Sequence, residues 1–138
     1  MSDGSKLLEL INPDSLMPPR GFSHACVAQG GRTLHLAGQV AADEKGVIQH
    51  HNDLVQQFDL TLHNFKTCMD SVGAHMSQVV KLNYYVLDVQ DYLDKRKELG
   101  AVYRKYFERH FPAMTLVEVK GLYNEGALIE IDGVAALD

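Results

Sequence analysis

The sequence has no tryptophan and, among 138 residues, only two cysteines and four prolines. The cysteines, Cys26 and Cys68, form no CxxC and no disulfide framework, so a reduced, cytoplasmic protein is the economical expectation. Basic residues are also scarce. Thirteen Lys and Arg against eighteen Asp and Glu leave a formal net charge of −5. The longest basic grouping, Lys95-Arg96-Lys97 with Arg104-Lys105, is interleaved with Asp94, Glu98 and Glu108 and reads as a solvated helix face. Without a basic footprint, nucleic acid is not an expected partner. No apolar run approaches the roughly 18 residues of a membrane span. The opening MSDGSKLLELINP lacks the basic-then-apolar pattern of a signal peptide. Repeats and low-complexity segments are missing too. There is no glycine-rich phosphate cradle, and Ser23 has no GxSxG context for a hydrolase triad.

What remains is a chain of one domain's length, residues 1–138, with 46% hydrophobic content, enough for a real core. Residues 1–21 read as an irregular arm in which Leu7 to Ile11 is either a short strand or a loose segment, since Pro13, Pro18 and Pro19 stop anything longer. Phe22 to Gln29 and Arg32 to Ala37 read as strands joined by the hairpin signal Gly30-Gly31. Leu54, Phe58, Leu62, Phe65, Met69 and Val72 form one helical stripe within Asp53 to Val72, with Asn52 or Asp53 as cap and Gly73 at the end. Val79 to Leu87 is apolar on both faces and therefore central. Asp88 to Asp91 is a cap region, Tyr92 to Phe107 a second helix, and Pro112 forbids its continuation. Met114 to Lys120 and Ala127 to Ala135 read as a closing hairpin around Gly121, Asn124 and Gly126.

The order β-β-α-β-α-β-β predicts an α+β domain with two helices on one face of a mixed sheet. The other face would carry Leu128 and Val134 with either Val79, Tyr85 and Leu87 or Val80, Leu82, Tyr84 and Val86. That much apolar surface implies a second subunit.

The last strand is the most informative. Leu128, Glu130, Asp132 and Val134 share one face; Ala127, Ile129, Ile131 and Gly133 share the other. Two carboxylates between aliphatics, with Glu118 expected across the hairpin, suit general acid–base work if burial raises a pKa, or else a solvated edge strand. His50-His51 lacks metal-ligand spacing and reads as a loop before a helix cap. His24 and His35 could be neighbours across the first hairpin, where most such pairs only pack. His63 and His75 read as surface residues, and Cys68 as a buried thiol rather than a nucleophile. No metal or cofactor is expected.

FSHACVAQGGRTLHLAGQV, SVGA, VVKLNYYVLDVQDY, VYRKYFERHFPAMTLVEV and GALIEIDGVA occur in this order across roughly residues 12 to 136. Together they resemble the Rid family, the YjgF/RidA-type reactive-intermediate deaminases also labelled endoribonuclease L-PSP. The resemblance implies a chorismate-mutase-like fold and a homotrimer with clefts between subunits, in which water attacks an imine carbon and ammonia leaves. It implies Glu130 as the water-positioning glutamate and Gly38 as the cleft glycine. The substrate-carboxylate arginine of the family is replaced by Met114, the tyrosine by Phe22 and the helix asparagine by Gly100, with backbone donors near Thr115 and Leu116 retained. Arg20 is the candidate replacement anchor. The expectation is therefore an enzyme that hydrolyses or tautomerises a small imine or enamine other than 2-aminoacrylate. The alternatives are a non-catalytic small-molecule-binding trimer and, from the family's older label, an endoribonuclease or translation inhibitor.

Overall fold

The computed structural model describes residues 7–138. Their elements are β1 (Leu8–Ile11), β2 (Ala25–Ala28), β3 (Arg32–Gln39), α1 (Leu54–Asp70), β4 (Val79–Val86), α2 (Val89–Asp94), α3 (Arg96–Phe107), β5 (Ala113–Glu118) and β6 (Ile129–Leu137). Of the expected N-terminal arm, residues 1–6 lie outside the described residues. The arm's Leu8–Ile11 is a strand, antiparallel to β2.

The main sheet is four-stranded and mixed, in the order β3-β6-β4-β5. The two expected hairpins do not exist. β2 pairs with β1 rather than with β3, and β5 runs parallel to β4 while β6 lies between β3 and β4. The α+β class stands, on a different strand order. At the first reversal the reason is visible: a Cβ on Gly30 would lie 2.3 Å from the Leu137 carbonyl oxygen. Glycine is needed there because the end of β6 passes close by.

α1 begins at Asp53, whose carboxylate accepts from the Gln56 amide. Its stripe Leu54, Phe58, Leu62, Phe65 and Met69 is buried, whereas Val72 lies beyond the helix and is exposed. The second helix expected from Tyr92 to Phe107 is two helices. Asp88 caps α2 through the Gln90 and Asp91 amides, and Lys95 breaks helical geometry before α3. Three helices therefore cover one face of the sheet. Beneath them lie Leu82, Tyr84 and Val86 of β4, Ile129, Ile131 and Gly133 of β6, and Met114 and Leu116 at the β5 edge.

The opposite face carries Lys81, Asn83 and Tyr85 beside Val134, Asp132 and Glu130, with Thr115 and Val117 on β5 and His35 on β3. It is more polar than the hydrophobic run of β4 suggests, because Leu82, Tyr84 and Val86 all face the helices. No helix among the described residues is long and apolar enough to cross a membrane.

Candidate functional site

Alternation along β6 sends Ile129 and Ile131 into the core and leaves Glu130 and Asp132 half-buried on the open face. The two carboxylates have different surroundings. Asp132 accepts from Asn83 Nδ2 at 2.7 Å and from the Tyr85 hydroxyl at 3.0 Å. That bond to Asp132, with some burial, raises the Tyr85 phenol above its usual range. Glu130 has no hydrogen bond or ion pair among the described residues. It lies against Gly38 instead, where a Cβ would come 1.9 Å from Glu130 Oε2 and 2.7 Å from its Cδ. The β3–β6 register shifts between Leu36 and Gln39, and this irregularity brings Gly38 against the carboxylate. Glu118 takes no part. β4 separates β5 from β6, and the Glu118 carboxylate accepts from the Val89 amide at the start of α2.

A second arrangement lies on the helix side of the sheet. A cavity of about 540 Å³ opens between the β5 edge, α2 and α3. Met114, Leu116, Tyr84, Tyr92, Tyr103 and Phe111 provide apolar walls, and Arg20, Arg96 and Arg104 also line it. Arg20 reaches the cavity because the arm is pinned to the start of β5. The Ser23 hydroxyl donates to the Phe111 carbonyl at 2.7 Å, and its amide donates to the Pro112 carbonyl at 3.0 Å. Gly21, at φ 77°, turns the chain between these points.

The Tyr84 hydroxyl is fully buried and has no hydrogen-bond partner among the described residues. Burial, with Tyr92 and Tyr103 nearby, pushes its ionisation far above the usual phenol range, so it is a permanent donor.

Arg20, Met114 and Leu116 therefore meet in the cavity, and Gly100 lies there with them. Glu130 and Gly38 meet on the other face of the sheet. Thr115 also faces that side and accepts from Lys81 Nζ at 2.8 Å. Phe22 does not line the cavity; its ring edge meets His24 with centroids 5.3 Å apart. His24 and His35 are not neighbours, since His24 bonds the Met17 carbonyl and His35 sits opposite Val134. Among the described residues no cluster of His, Cys, Asp and Glu suits a metal ion. Cys26 and Cys68 are both free and half-buried.

Among the lining residues that sequence reasoning missed are Tyr84, Arg96 and Arg104. Tyr84 was hidden in an apolar strand. Arg96 and Arg104 were hidden in a charge-mixed stretch, although their spacing of eight residues around Gly100 was a usable signal.

The family model for endoribonuclease L-PSP matches residues 13–137. A RutC family protein of Pyrococcus horikoshii is 31% identical over 128 residues, covering 92% of this chain and 96% of that protein. A human 2-iminobutanoate/2-iminopropanoate deaminase is 26% identical over 104 residues, covering 75% of this chain and 72% of that one. Among solved structures, a Rid-family protein of unknown function from Yersinia pestis superposes with a TM-score of 0.85 at 34% identity, covering 95% of this chain and 99% of that chain.

Proposed function

Because the chain belongs to the endoribonuclease L-PSP family, the Rid family of its structural relatives, we propose that it is a cytoplasmic imine deaminase whose site is shared between subunits of a homotrimer. One observation carries the reading. Of the two carboxylates on the open face, Asp132 is held by two donors, while Glu130 lies against Gly38 with its oxygens unbonded. An unpartnered carboxylate on the open face suits a water molecule.

In the proposed reaction, Glu130 accepts a hydrogen bond from that water as its oxygen adds to the imine carbon. The C=N electron pair moves to nitrogen. Nitrogen takes the proton that the water gives up, and the resulting amino alcohol passes its hydroxyl proton to nitrogen as the C–N bond breaks, so ammonia leaves a carbonyl. An enamine first takes a proton at carbon to become the imine. The helix-side cavity and Glu130 lie on opposite faces of one sheet, so a substrate in the cavity of one chain meets Glu130 only from a neighbouring copy.

Met114 replaces an anion anchor with a thioether, which removes the bidentate recognition that a compact 2-imino acid requires. This disfavours 2-aminoacrylate. The same substitution supports the second reading, a trimer that binds a small molecule without turnover. RNA cleavage gains nothing from a net charge of −5.

The test uses imines generated in place by an amino-acid oxidase and followed by semicarbazide trapping, with light scattering for the assembly. Wild type should accelerate imine loss, and Glu130→Gln should abolish the acceleration while remaining trimeric. Full activity in trimeric Glu130→Gln would sink the mechanism. Full activity in a strictly monomeric protein would sink the shared site.

A further inference from the structure

The helix-side cavity is built for a different ligand from a three-carbon imino acid. Its volume of about 540 Å³ falls within the range of roughly 300–1,000 Å³ typical of sites for drug-sized molecules. Arg96, Gly100 and Arg104 follow at steps of four, so they lie along one face of α3, and all three line the cavity. At 1.5 Å per residue the two arginines are about 12 Å apart along the helix. Gly100 leaves open the space that Arg104 uses, since a Cβ there would come within 3.3 Å of Arg104 Nη1.

The pairing of the neighbouring cations sharpens the point. Lys95, just before α3, and Lys105, in its last turn, are held in ion pairs with Asp91 and Asp59. Arg20, Arg96 and Arg104 have no carboxylate partner among the described residues, and Arg96 donates only to the Leu93 carbonyl. Three uncompensated guanidinium groups thus border an apolar pocket.

We infer that this cavity binds an amphipathic organic anion. Its apolar body fills the space against Met114 and Leu116, and its carboxylate is held at the rim by the guanidinium groups of Arg20, Arg96 and Arg104. Charge recognition has moved from the β5 position now held by Met114 to the α3 side of the pocket. Binding is argued from the cavity alone. Only the identification of this ligand with the substrate rests on the deaminase reading.

The test is isothermal titration of the full chain with 4-benzoylbutyrate, its primary amide, 5-phenylvalerate and acetate. The keto acid should bind, acetate should not, and the amide should bind at least about tenfold more weakly, as loss of the charge-assisted contacts implies. Arg96→Gln/Arg104→Gln, both at exposed positions, should reproduce the loss for the acid and leave the amide unchanged. Equal affinity for acid and amide, unchanged binding in the double arginine variant, or no binding of any probe overturns the inference.

The Glu130→Gln variant separates the two proposals. If it stays fully active while the arginine variants weaken binding, the deaminase mechanism falls and the ligand class stands. If it loses activity while the arginine variants bind and turn over normally, the ligand class falls alone.

Discussion

Gly38→Ala isolates the role of Glu130 without touching its charge. Gly38 is exposed and not among the residues with positive φ, so alanine meets no backbone strain. The new methyl carbon would lie 1.9 Å from Glu130 Oε2 and 3.0 Å from Cγ. To regain ordinary contact near 3.5 Å, the carboxylate must withdraw by about 1.5 Å. A glutamate on a solvent-accessible face swings aside at little cost, so folding stability should change by less than about 1 kcal/mol. Catalysis is less forgiving. Misplacement of a reacting group by about 1 Å costs on the order of 10²-fold, so kcat/KM for the best imine of a panel should fall by about that factor. The assay pairs semicarbazide-trapping kinetics with urea denaturation and light scattering. Near wild-type kcat/KM in a stable, trimeric Gly38→Ala protein would refute the claim that this contact places the carboxylate.

Gly133→Ala, on the buried side of the same strand, should behave in the opposite way. Its Cβ would meet the Lys81 carbonyl at 2.7 Å and Phe65 Cζ at 2.9 Å. Backbone cannot swing aside, and a loss of about 1–3 kcal/mol should appear in urea titrations. Tyr84→Phe removes an unsatisfied buried hydroxyl and should stabilise the ligand-free protein by up to about 1 kcal/mol, read as a higher melting temperature. His110 has its ionisation lowered by burial, opposed by its bond to the Val79 carbonyl. Its folded state prefers the neutral ring, so the stability it contributes is present above the unfolded imidazole pKa and lost as pH falls. The denaturation midpoint should drop between about pH 7 and pH 5, and His110→Gln should flatten that dependence.

The individual elements were legible because each is written locally. The stripe of α1, its Asp53 cap and the alternation of β6 follow from residues a few positions apart. Strand partnership was not legible. Gly30-Gly31 signals a reversal and cannot say that β3 will pair with residues a hundred positions away rather than with β2. At the second reversal, the segment after Glu118 reads as turn residues whether β6 returns beside β5 or crosses to the far side of β4. Glu130 stood out because a carboxylate between aliphatics breaks a simple pattern. Arg96 and Arg104 did not, since charges on a helix surface are ordinary until a groove is found beside them.

The strand order also governs how the molecule comes together. β4, α2, α3 and β5 form a compact unit of neighbouring segments, quick to assemble on its own contacts. Pairing Arg32 with Leu137 instead closes a loop of about a hundred residues, an entropic cost of roughly 4 kcal/mol by the logarithmic rule. On this count β6 is expected to join last, and its arrival brings Glu130 against Gly38. A folding intermediate can possess the cavity and its arginines well before it possesses the carboxylate. Ligand capture and chemical competence should thus emerge as two separable phases of refolding.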